Sequence, residues 1–242
     1  ERLMGKTIMN HITLILATVL SLAFTQVTAQ DFSKGLEAAK AGDYATALKE
    51  WKPLAEQGDA IAQFNLGVLH ERGKGVLKDN SEAVKWYRLS AEQGNTSAQY
   101  NLGVMHERGD GVLKDFSEAL KWYRLSAEQG NTSAQRNLGV IFEKGNGVIT
   151  DHAEAVKWYR LAAEQGDANT QKFLGNMYKY GKGVLQDNVA SHMWYNIASA
   201  NGDEQAGEYR DEDAAKMTPE DISKATAMAR ECMKSDYKNC GY

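Results

Sequence analysis

Residues Ala62–Ser97 read AQFNLGVLHERGKGVLKDNSEAVKWYRLSAEQGNTS, and the following stretch, Ala98–Ser133, reads AQYNLGVMHERGDGVLKDFSEALKWYRLSAEQGNTS. They differ at five positions: Phe64/Tyr100, Leu69/Met105, Lys74/Asp110, Asn80/Phe116 and Val84/Leu120. A third copy spans 134–169 and a fourth, more divergent, spans 170–205. Trp86, Trp122, Trp158 and Trp194 mark the period, each followed by Tyr. Four glycines recur in each copy, at 67, 73, 75 and 94 in the first. A fixed period of 36 residues signals stacked supersecondary units, each too small to bury a core alone.

Each copy reads as two helices. Ala62, Leu66, Leu69 and His70 form one helical stripe, and Ala83, Trp86, Tyr87, Ser90 and Ala91 form a second. The spacings Thr96/Gln99 and Thr132/Gln135 predict capping boxes for the first helix. Asp79/Glu82, Asp115/Glu118 and Asp151/Glu154 predict them for the second. Gly73-x-Gly75 and Gly94 end the two helices, because glycine takes the positive φ of a C-cap without cost. Gly67 and Ala83 are small where the paired helices should approach. No segment alternates with period two, so no strand is expected.

The flanks are atypical, as terminal repeats of such arrays are. Residues 30–61 form a shortened N-terminal capping half-repeat, with Ala47, Trp51 and Gly58 matching Ala83, Tyr87 and Gly94, and with Pro53 expected to kink its second helix. Residues 206–242 supply C-terminal capping helices, the last starting at Thr218-Pro219-Glu220-Asp221 and running to about Lys234, then a Cys-containing tail. At the other end, Arg2 and Lys6 precede an apolar run over Ile12–Phe24, and Val27-Thr28-Ala29 fits a cleavage site. Residues 1–29 are therefore expected to be a signal peptide, with the remainder periplasmic or secreted and without a membrane span. In such a compartment the two cysteines, Cys232 and Cys240, are expected to be joined.

The pattern A-x-x-x-L-G-x-x-x-x-x-G-x-G-V-x-x-D-x-x-x-A-x-x-W-Y-x-x-x-A-x-x-G resembles the Sel-1-like repeat, a relative of the tetratricopeptide repeat. Residues 62–205 match it through four units, and 31–58 look like its N-terminal half unit. The resemblance implies an all-α fold, a right-handed α/α superhelix (solenoid) of about six helix pairs, serving as a scaffold for protein–protein contacts in the bacterial envelope. It also implies that the first helix of each pair lines a concave groove. The residues just before Leu-Gly then face a partner: Phe64, Asn65, Tyr100, Asn101, Arg136, Asn137, Lys172 and Phe173, with Val68 and Val104 one turn later. Asn65, Asn101 and Asn137 form a ladder whose amides either pair with an extended peptide or bond the neighbouring repeat. The row grades from aromatic to basic, which favours a partner with an apolar half and an acidic half or free carboxylate.

No chemical motif competes with that reading. A net charge of -4 argues against a general nucleic-acid binder. No histidine has metal-ligand spacing, and Gly73-Lys74-Gly75 lacks the strand and G-K-[ST] ending of a phosphate loop. No cofactor or metal is expected, and no catalytic residue. The alternative is a cell-wall or β-lactam-acting protein, as linked to cysteine-rich relatives of the family. It would need a Ser-x-x-Lys nucleophile, and Ser235-x-x-Lys238 is the single match. It lies in the tail without Ser-Asp-Asn or Lys-Thr-Gly, and the paired cysteines of those relatives are missing from the repeats.

Overall fold

The computed structural model describes residues 32–238 and Cys240; the expected signal segment lies outside the described residues. Every described regular element is a helix. The first, α1, covers 32–40. It is followed by α2 (Tyr44–Glu56), α3 (Ala60–Arg72), α4 (Asn80–Glu92), α5 (Thr96–Arg108), α6 (Phe116–Glu128) and α7 (Thr132–Lys144). Then come α8 (His152–Ala163), α9 (Ala168–Tyr180), α10 (Asn188–Ala200), α11 (Glu204–Ala214) and α12 (Pro219–Lys234). The fold is all-α and built from consecutive helix pairs, as expected.

Two compact units form, one of residues through Ala98 with Asp110–Val112, the other of Gln99–Gly109 with Leu113 onward. In the first, α2 packs on α3 and α3 on α4. In the second, α6 through α11 pack each on the next, and α12 returns against α10. The first core gathers Trp51, Leu54, Leu66 and Leu69. The second unit has one cluster around Tyr123, Leu138 and Ile141 and another around Tyr159, Trp194 and Ile197. Ala225, Ala229, Cys232 and Cys240 close the latter, so α12 caps the array with its small residues inward. Cys232 and Cys240 are disulfide-bonded.

One contact sets the helix pairing. A Cβ on Gly103 would stand 2.7 Å from the Tyr123 ring, and one on Gly67, Gly139 or Gly175 would meet Tyr87, Tyr159 or Tyr195 closer still. The Leu-Gly glycine of each first helix is thus the seat of the Trp-Tyr tyrosine of its partner. The second loop glycine joins successive pairs. A Cβ on Gly75 would be 2.7 Å from the Tyr44 backbone, and Gly111, Gly147 and Gly183 lie equally tightly on Asn80, Phe116 and His152. These four glycines also hold φ near +70°, which side-chain-bearing residues rarely adopt.

Two expectations are corrected. The first helices are capped by the residue before Thr: Asn95 accepts from the Ala98 N–H at 2.9 Å and Asn131 from the Ala134 N–H at 2.9 Å. Thr96 and Thr132 therefore lie inside their helices. Gln99 and Gln135 are buried instead of reaching back to a cap. The second-helix caps hold, with Asp79, Asp115 and Asp151 accepting from the expected N–H groups, but the Glu82, Glu118 and Glu154 carboxylates pair with Lys85, Lys121 and Lys157. Pro53 lies inside α2, in its last turn, and its carbonyl accepts from the Gln57 N–H at 3.1 Å.

The buried glutamines cross-link the pairs. Gln135 Nε2 donates to the Ala127 carbonyl near the end of the preceding helix at 3.1 Å, and its Oε1 accepts from Gln165 Nε2 at 2.7 Å. Gln63 and Gln171 do the same with Ala55 and Ala163. Gln135→Ala removes both buried hydrogen bonds, although the Ala127 carbonyl keeps the Gly130 N–H at 2.9 Å, so it should cost about 1–3 kcal/mol in urea unfolding. Gln165→Ala, at an exposed position, should cost less than half as much; equal costs would contradict the cross-link.

Candidate functional site

Within the second unit, α5, α6 and α7 frame a groove of about 720 Å³. Helix α5 contributes Tyr100, Val104, Glu107 and Arg108, which follow one another at helical spacing along a single face. Lys114 and Phe116 enter from the α5–α6 loop and the start of α6, Tyr123 from within α6, Arg136 and Asn137 from α7, and Asn146 from the loop after it.

The floor is Tyr123, fully buried against Gly103. Its O–H donates to Glu107 Oε2 at 2.6 Å, and the Asn137 side chain hydrogen-bonds the same phenol. Burial holds the phenol un-ionised far above its ordinary range; the Glu107 carboxylate pushes the same way and Asn137 opposes it. Tyr100 lies tilted over the Tyr123 ring, with centroids 5.9 Å apart. Lys114 Nζ sits 4.6 Å from the Phe116 ring centroid, a cation–π distance. The groove therefore offers an aromatic and aliphatic strip, two amides and a cationic rim.

The equivalent tyrosines repeat the floor with one change. Tyr87 and Tyr159 donate to Glu71 and Glu143 at 2.6 and 2.7 Å. In the fourth copy Lys179 stands where the glutamate would be, and Tyr195 donates to Asn176 Oδ1 at 2.7 Å instead. Lys179 Nζ pairs with the buried Asp213 at 2.8 Å and faces the rings of Tyr180, Tyr195 and Tyr209 at 5.7–6.0 Å. The last repeat thus spends this position on joining α11.

The structure brings together Tyr100, Val104, Arg136 and Asn137 of the expected partner-binding set. Asn101 is half-buried on α5 and does not line the groove. Phe64, Asn65 and Val68 belong to the first unit, where each is half-buried and Phe64 packs on Tyr87 with centroids 5.8 Å apart. Phe173 packs on Tyr159 at 5.3 Å. The basic pair is already engaged: Arg136 Nη1 meets Asp167 Oδ2 at 2.6 Å and Lys172 Nζ meets Asp203 Oδ2 at 2.8 Å. Each of those aspartates caps the next first helix. Arg108, Lys114 and Asn146 are not in the expected set, which draws on the positions beside Leu-Gly: Arg108 follows Tyr100 and Val104 on the α5 face two turns on, and Lys114 and Asn146 lie on loops. In the tail, the Ser235 hydroxyl donates to the Cys232 carbonyl at 2.8 Å, and Lys238 is exposed.

The family model for the Sel1 repeat matches residues 60–95, 96–131, 132–167 and 168–203. A crystal structure from uropathogenic Escherichia coli, of a protective antigen displaying an SLR fold, is 33% identical and covers 91% of this chain with a TM-score of 0.78. This chain spans 48% of that protein's length. A Sel1 repeat protein from Oxalobacter formigenes is 32% identical, with 87% of this chain and 92% of that one covered and a TM-score of 0.72. No curated protein matches.

Tyr123, Tyr159 and Tyr195 all have ionisation raised above the ordinary value of 10.0, first by burial. Above pH 10 the unfolded chain releases phenol protons that the native chain retains, so stability should fall as pH rises past that value. Ultraviolet titration of native protein should show these phenols ionising only on unfolding. Titration of all tyrosines together near pH 10, with no loss of stability, would contradict the burial.

Proposed function

The chain belongs to the Sel1 repeat family, and from that premise we propose that it is a non-enzymatic interaction scaffold of the bacterial envelope that holds an extended protein segment in the groove of α5, α6 and α7. Sel1 repeats mediate protein–protein contacts. The observation that carries the reading is the groove's composition: aromatic and aliphatic side chains beside open amides and cations, without a paired acid, base and nucleophile. Tyr100 and Val104 supply apolar contact to the segment. Asn146, and the Asn137 amide where Tyr123 leaves it capacity, pair with peptide backbone.

Carboxylates on the partner meet Arg108 and Lys114. The sequence points to Arg136 and Lys172 for that role, but both are held by Asp167 and Asp203 within the repeats. Arg108 and Lys114 are exposed on the rim, where opposite charge speeds encounter and selects partners more than it adds affinity. Export agrees with the Cys232–Cys240 disulfide, a bond that persists in oxidising compartments. Among the described residues no helix is long and apolar enough to cross a membrane.

Partner captured from the native envelope gives the test, with groove variants titrated calorimetrically against it beside their melting curves. Asn146→Ala should weaken binding several-fold, since an uncharged hydrogen bond contributes about 0.5–1.5 kcal/mol. Arg108→Glu/Lys114→Glu should weaken it more, chiefly at low salt. Melting should be unchanged, because all three side chains are at most half-buried. Unaltered affinity in both variants would remove the groove as the site, and covalent labelling by a tagged penicillin would favour the β-lactam alternative.

A further inference from the structure

The first unit holds a smaller cavity, of about 190 Å³, between α2, α3 and α4. Leu48, Leu66, Val76 and the Trp86 ring make its walls, and Lys52, His70 and Glu82 bring polar groups to it. The cavity has a fixed place in the repeat, so the later copies show what fills that place elsewhere. Three periods on, Lys52 and His70 correspond to Arg160 and Tyr178. Tyr178 is buried, and its hydroxyl accepts from Arg160 Nη2 at 2.7 Å. In the third copy the same position is Phe142, packed on the core. The first copy has only the smaller imidazole there, and its cation has no phenol to meet.

A second difference opens the first copy. Trp122 and Trp158 donate their indole N–H groups to Glu118 and Glu154 at 2.8 and 3.0 Å. Glu82 stands at the same position but meets only Lys85, at 2.7 Å, and among the described residues the Trp86 indole N–H has no partner. His70 Nδ1 is buried and also without a hydrogen bond. The second copy carries the same histidine, yet there His106 and Trp122 are 7% and 4% exposed, whereas His70 and Trp86 are half-buried. Histidine alone therefore does not open the site; the missing Trp–Glu bond goes with it. The result is an apolar cavity for one ring, edged by a donor, a buried nitrogen and a cation that all lack the partners their counterparts have.

We propose that this cavity binds a single-ring phenol, whose ring takes the place that Tyr178 fills in the fourth copy and whose oxygen meets Lys52 as Tyr178 meets Arg160. A phenol oxygen accepts from an ammonium or an indole N–H, and its own O–H donates to an imidazole nitrogen or a carboxylate. Lys52 and Trp86 supply the first kind of group, His70 and Glu82 the second. Glu82, and Glu56 at 3.9 Å from Lys52, offset the charge of the lysine, which favours a neutral hydroxyl over an anion. An apolar cavity of about 150 Å³ holds benzene, so the volume suits one substituted ring. None of these residues belongs to the groove of α5–α7. The hydroxyphenyl group arrives either as a free small molecule or as the tyrosine side chain of a partner.

The test titrates p-cresol, a tyrosine side chain without its backbone, into the full chain while NMR follows the indole N–H signals. The Trp86 signal, assigned by its loss in Trp86→Phe, should shift and saturate, and the Trp122 signal should stay in place. His70→Phe installs the ring of the third copy and should weaken binding at least tenfold without lowering the melting temperature. His106→Phe, the same change one repeat on, should leave binding as it is. Toluene lacks the oxygen and should bind several-fold more weakly than p-cresol. Lys52→Met, at a side chain that is 61% exposed and so leaves the fold intact, should narrow that preference. Acetyltyrosine amide binding as tightly as p-cresol supports the site as a seat for a partner's tyrosine, and p-cresol binding alone supports a free phenol. A Trp86 signal that does not move overturns the proposal, as does one that moves equally in His70→Phe, or toluene binding as tightly as p-cresol.

Discussion

The whole arrangement depends on a tyrosine ring seated against a backbone that has no Cβ. Tyr87, Tyr123, Tyr159 and Tyr195 are fully buried, and each lies where a side chain on the facing glycine would collide with it. The contact fixes how near the two helices of a pair come, and at which level. The phenol end must then find a partner, because a buried hydroxyl without one is costly. In three copies a glutamate one turn past the glycine accepts its hydrogen bond. Apolar seat and polar anchor together give each pair a single register.

Stacking of one pair on the next uses a different set of groups. The loop glycine lies on the start of the preceding second helix, the buried glutamine bonds the end of that helix, and a cap aspartate accepts a cation from the preceding first helix at Arg136–Asp167 and Lys172–Asp203. All these groups are spent on the scaffold. What remains on the groove side is the rim of α5 and the loops, which is why open cations and amides collect there. The disulfide and α12 finish the array by covering the core beside Trp194 with small residues instead of another repeat.

Much of this is legible in the residues. The period, the paired stripes, the glycine stops and the aspartate caps of the second helices all follow from spacing, and the structure keeps them. The Thr96 and Thr132 caps did not hold, because Asn95 and Asn131 stand one residue earlier and their side-chain oxygens accept from the third N–H. The glutamine cross-links were invisible, since a polar residue on an apolar stripe looks neutral until its partner 30 residues away is known. Arg136 and Lys172 looked like groove charges for the same reason: the aspartates that hold them lie at the far ends of their own copies, where each caps the next first helix. Arg108, Lys114 and Asn146 emerge as groove residues only once α5 and α7 stand side by side.

The seat of the tyrosine is tested most directly by a double-mutant cycle between Gly139 and Tyr159 in urea unfolding. With Tyr159 present, Gly139→Ala should destabilise by about 1–3 kcal/mol, as overpacking does. In the Tyr159→Ala background the same change should stabilise, by up to about 1 kcal/mol, because alanine is the better helix former once the ring is gone. The account requires that reversal of sign. A Gly139→Ala change that is neutral or stabilising with Tyr159 in place would contradict it.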